Sequence, residues 1–133
     1  MYISILAAEK GSRVLVATLI SEGADVNEKN ESQRTPLHYA ASSNAGDAAQ
    51  ALLAHGADVD ARDESQRTPL HNAAYHNAVD AAKVLLAHGA DVNARDEDED
   101  TPLDDAERIA ENEGHDEMET LLCQHVRTRG GNR

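Results

Sequence analysis

The sequence predicts an all-α solenoid: helix–turn–helix units stacked in a row and linked by extended, hairpin-like loops. Three observations predict it. The string RTPLH fills residues 34–38 and recurs unchanged at 67–71, with DTPLD at 100–104, so Thr35, Thr68 and Thr101 stand 33 residues apart. GADV keeps the same step, at Gly23, Gly56 and Gly89. Aromatics are limited to three Tyr, with no Phe or Trp, and alanine and leucine carry much of the apolar content. Such a composition suits closely packed helices better than sandwiches of β-branched strands. Residues 34–66 and 67–99 differ at only nine of 33 aligned positions, which marks a tandem array.

Within a unit, Thr35 is placed to cap a helix and Pro36 to occupy its first position, where a missing N–H costs nothing. That first helix is predicted over 36–43. It stops at Asn44, which tolerates left-handed backbone. A second helix is predicted over 47–55, with Asp47 favourable at its N-terminus and Gly56 ending it. ADVDARDESQ then reads as an extended loop leading to the next Thr-Pro. A unit of this kind has one apolar face and buries it only against neighbours. The array forms one domain over 1–126, in units 1–33, 34–66, 67–99 and 100–126, followed by a flexible basic tail at 127–133. In the fourth unit the stop moves from Asn44 and Asn77 to Gly114, thirteen residues after Thr101 instead of nine. Four extra residues add about one helical turn. The prediction there is a longer first helix over 102–113 and a closing helix over 116–125, with a polar outer face suited to a terminal unit.

The 33-residue period, with TPLHYAA and TPLHNAA followed by ALLAHGADV and VLLAHGADV, resembles the ankyrin repeat. The resemblance is specific in the second and third units. In the first, YISI stands where TPLH is expected, but GADVN is intact. The resemblance implies that His38 and His71 hydrogen-bond within and between repeat loops. It also marks a departure. Many such loops carry Gly two residues before the Thr, where this chain has Gln33, Gln66 and Glu99. Left-handed backbone at a non-glycine residue costs on the order of 1 kcal/mol. Either the turn is distorted or the strain is tolerated.

Net charge is −13, and residues 96–119 hold thirteen acids against Arg108 alone. Such a field repels phosphates, so nucleic acid is not expected as a partner. No apolar run approaches the roughly 18 residues of a membrane span. The single cysteine, Cys123, rules out an internal disulfide, which fits a reducing, intracellular and cytoplasmic setting. It aligns with Leu53 and Leu86, as a small core residue. The acids of RDEDED lack the spacing of a calcium loop. His55 and His88 are read as helix C-terminal caps, since helices about 8–10 Å apart place them poorly for one zinc ion. Nothing in the chain asks for a cofactor or metal, and no constellation of catalytic groups is visible.

Positions that differ between units two and three are expected to face outward: the pairs 39/72, 42/75, 43/76, 46/79, 50/83, 51/84, 60/93, 65/98 and 66/99. The resemblance adds that partners bind the concave surface formed by first helices and loop tips. The residues so implied are Arg34, Ser42, Ser43, Glu64, Arg67, Tyr75, His76, Asp98 and Asp100, with Glu31, Ser32, Ser65, Glu97 and Arg108 beside them. Tyr75, Arg34 and Arg67 are the residue types that most often anchor interfaces. The plainer expectations are that Tyr75 is a half-buried spacer and that both arginines pair with loop acids such as Glu64. Alanine at Tyr75 and Arg67 together is expected to weaken capture with little change in melting temperature.

The resulting expectation is a non-enzymatic, monomeric module that binds a protein partner of basic character. Two alternatives remain, the first implied by the resemblance and the second allowed by the near-identity of units two and three. One is a substrate of asparaginyl hydroxylation at Asn27 and Asn93, each with a Leu eight residues earlier. The other is a consensus-like scaffold with no cognate partner. The irregular outer units and the small Ala48/Ala49 and Ala81/Ala82 pairs argue against the scaffold; the alanine pairs also suggest close helix packing or modest stability.

Overall fold

The computed structural model describes residues 13–113 and 117–129. Among the described residues seven helices follow in chain order: α1 (Arg13–Ser21), α2 (Pro36–Ser42), α3 (Gly46–Ala54), α4 (Pro69–Tyr75), α5 (Val79–Ala87), α6 (Pro102–Glu113) and α7 (Glu117–Arg129). They form two rows: α2, α4 and α6 pack side by side, and α1, α3, α5 and α7 form the row behind them. The fourth unit's long helix has the predicted bounds. Its closing helix runs through Arg129, three residues into the stretch expected to be tail. The expected stop at Gly114, the first unit's opening residues 1–12, and residues 130–133 lie outside the described residues.

Each TPLH corner is a closed hydrogen-bond ring. Thr35 has extended backbone, its hydroxyl accepts from His38 N–H, and its own N–H donates to His38 Nδ1 at 3.0 Å. With Nδ1 accepting, the ring proton sits on Nε2, which donates to Arg67 O of the next unit at 2.9 Å. His71 repeats the pattern, accepting from Thr68 N and donating to Asp100 O at 2.8 Å. In the fourth unit Asp104 takes over the local half: its carboxylate accepts from Thr101 N at 2.8 Å. α3 and α5 have no side-chain cap from Ala45 or Ala78, and α5 borrows one, since Asn44 Oδ1 of the preceding unit accepts from Ala81 N.

Both imidazoles are fully buried, and burial pushes their pKa below the usual value. A proton on Nδ1 would also abolish the Thr N–H bond. The unfolded chain therefore binds protons more readily than the native one, so stability is complete above the ordinary histidine pKa of about 6.5 and erodes below it. Urea midpoints are expected to fall between pH 7.5 and pH 5.5, and to fall less in a His38→Gln/His71→Gln variant. Equal slopes would place the acid sensitivity elsewhere.

The core runs through the stack as Val16, Leu37, Leu52, Leu70, Leu85 and Leu122, with alanines between them. Ala48, Ala49, Ala81 and Ala82 are wholly buried, so the small pairs are where neighbouring helices approach. Gln33, Gln66 and Glu99 are left-handed, with φ of 63°, 65° and 66°, and the turns around them are regular. Strain is thus tolerated, and cations offset part of it. Arg62 donates to Gln66 O and to Arg95 O of the next loop, and Arg95 donates to Glu99 O. Successive loops are also stitched by Glu64 N to Ser32 O and Glu97 N to Ser65 O, both 3.0 Å.

Candidate binding groove

Two repeat positions build the groove. Residues 30, 63 and 96 are Asn, Asp and Asp, and each side chain folds back on its own loop. Asp96 Oδ1 accepts from Asp98 N and Asp100 N at 2.9 and 3.0 Å. Burial alone would raise the Asp96 pKa, but those two N–H bonds and the Arg67 charge hold it below the usual value. Residues 39, 72 and 105 are Tyr, Asn and Asp, on the inner row of helices.

Arg67 joins the two positions. Its Nη1 lies 2.8 Å from Asp96 Oδ2 and its Nη2 2.8 Å from Asp105 Oδ2. The two carboxylates are 3% and 1% exposed and the arginine 21%. Arg67 also donates to His71 O, and its guanidinium carbon stands 5.8 Å from the Tyr75 ring centroid. Arg108 extends the network from Asp105 to Asp100 at 3.1 and 3.3 Å. Arg34 is the equivalent residue one unit earlier, yet it reaches one carboxylate, Asp63 at 3.5 Å, with the Tyr39 hydroxyl as its other partner, and is 44% exposed. The difference comes from position 72. Asn72 offers no carboxylate, and its amide is turned to His38 O.

These side chains enclose a polar groove of about 260 Å³ on the inner row. Of the residues predicted to bind, Arg34, Ser42, Arg67, Tyr75, His76, Asp98 and Asp100 line it, while Ser43 and Glu64 do not. Tyr75 is 52% exposed, with His76 edge-on to it at 5.1 Å. It is the one exposed aromatic among the described residues. Asn72, Asp96 and Asp105 also line the groove and were not predicted to. A signal for Asp96 existed, since Asp63 and Asp96 are identical in units that tolerate change elsewhere.

Both arginines pair with loop acids as expected, Arg34 with Asp63 and Arg67 with Asp96, but Glu64 is not among them, and Arg67 also reaches Asp105 on α6. Alanine at Arg67 therefore disturbs the fold as well as the surface. Asn72 and Ala51, expected outward, are 7% and 6% exposed, because the first reaches back to His38 O and the second faces the neighbouring helices. His55 does act as a C-terminal cap, Nδ1 donating to Ala51 O at 2.8 Å.

Asn27, one of the candidate modification sites, bridges to the next loop: Nδ2 donates to Gly56 O and Oδ1 accepts from Asp58 N at 2.9 Å. Asn93 is exposed. A second recess, around Gly46, Gln50 and Asp80, lies on the other row, where Gly46 replaces the valine found at 79. It has no aromatic and no cation in its lining. Among the described residues no group of histidines, cysteines or carboxylates is placed to hold a metal, and no helix is long and apolar enough to cross a membrane.

A stack of paired helices with capped Thr-Pro corners, stitched loops and a groove on its inner row defines a helical repeat protein. The family described as ankyrin repeats (3 copies) matches residues 4–96, more than half of the chain, and the chain belongs to that family. The fourth unit lies beyond the matched residues. Ankyrin repeats generally mediate protein–protein interaction, and proteins of the family are typically non-enzymatic. A comparison with curated proteins returns no match.

Proposed function

We propose that this chain is a non-enzymatic, intracellular interaction module that works as a monomer. Its inner-row groove docks a protein partner of basic character. The observation that supports this most is the exposed Tyr75, held against a guanidinium already fixed by two buried carboxylates. A surface locked before binding loses little ordering entropy when a partner arrives. The acidic surroundings of Asp98 and Asp100 favour encounter with a cationic partner.

Panning a random-peptide display library against the full chain tests the reading. Clones should be recovered that bind the wild type and lose binding to Tyr75→Ala, while Gln50→Ala on the back row leaves them unchanged. Clones indifferent to Tyr75 would remove the groove as the docking surface. A stack yielding no clones would favour a scaffold without a partner.

A further inference from the structure

The groove is one positive charge short. Four carboxylates line it, Asp96, Asp98, Asp100 and Asp105, against Arg34, Arg67 and Arg108. Arg67 and Arg108 are engaged with Asp96, Asp105 and Asp100, and Arg34 is engaged with Asp63, which is not part of the groove lining. Asp98 alone among the four has no cation within ion-pair distance among the described residues, and it is exposed. The half-exposed ring of Tyr75 lines the same groove.

The chain already builds the arrangement this implies. Arg67 is a guanidinium set between carboxylates and lying over the same ring. From this geometry we infer that the partner segment inserts an arginine side chain, its guanidinium stacked on Tyr75 and paired with Asp98. Arginine fits better than lysine because its plane lies flat on an aromatic face while its edge donates forked hydrogen bonds to a carboxylate. The inference rests on the docking function proposed above and gives it a chemical class of partner.

The composition of the panned clones separates the two. Clones lost with Tyr75→Ala should be enriched in arginine over lysine. Their affinity should fall by about fivefold or more with Asp98→Asn, a close interfacial ion pair losing one partner. Glu107→Gln removes the same charge outside the groove lining and should change affinity by less than about twofold, as a screened distant charge. Lysine replacing the clone's arginine should weaken binding. Clones that need Tyr75 but show no arginine preference, or that respond equally to Asp98→Asn and Glu107→Gln, would overturn the arginine pocket and leave the docking reading standing. Clones that ignore Tyr75 would overturn both. Both charge variants lie at exposed positions, and amide spectra of each confirm that the fold is retained.

Discussion

Arg67→Ala is expected to destabilise the protein by about 2–3 kcal/mol, while Arg34→Ala costs less than about 1 kcal/mol. The sequence makes these two arginines equivalent, each opening an RTPLH string. Their surroundings differ. Arg67 neutralises two carboxylates that are almost wholly buried, and its removal leaves Asp105 with Arg108 alone and Asp96 with backbone N–H groups alone. Uncompensated buried charge is the expensive outcome, which sets the larger figure. The Arg34 contact is long and its guanidinium is 44% exposed, so screening makes it weak, and the buried Asp63 keeps its bonds from Ser65 N and Arg67 N when Arg34 is removed. Urea denaturation of the two variants at one pH measures the contrast. Equal losses would mean that the network between the third and fourth units adds nothing beyond a surface pair. The same experiment bears on function, because Arg67 holds one face of Tyr75 in place.

Leu70→Ala is expected to cost about 3 kcal/mol, in the usual range for a large buried aliphatic cut to alanine. Leu70 is fully buried on α4, the middle helix of the inner row, with α2 on one side and α6 on the other. Alanines already fill the closest approaches, so the surrounding helices have little room to collapse into the space left. Because each unit is held by its neighbours, the loss should lower the whole transition instead of splitting it. A loss under about 1 kcal/mol would show that the third unit does not depend on the helices flanking it.

Most of the fold was legible in the sequence, and the reason is physical. Thr at the cap, Pro at the first helical position and Gly at the last left-handed residue each satisfy a local backbone demand that recurs every unit, so the string alone locates the corners. The lengthened α6 was legible for the same reason, since helical phase fixes what four extra residues do. The network at the groove was not. Whether Arg34 or Arg67 is locked depends on residues 29 and 38 positions further along the chain, and on Asn72 standing where Asp105 stands one unit later. Comparing units two and three also misread Asn72 and Ala51, because a position can vary between units when each residue finds its own buried partner. The left-handed Gln33, Gln66 and Glu99 were undecidable from sequence, since the arginines that hold two of their carbonyls lie four residues upstream in a loop read simply as polar.

The most direct test of the docking account is an amide chemical-shift map of the full chain with a Tyr75-dependent peptide bound. Saturable shifts should concentrate at Ser42, Tyr75, His76 and Asp98, on the inner row and its loop tips. Shifts concentrated instead at Gln50 and Lys83 on the back row, with Tyr75 and Asp98 unmoved, would contradict it.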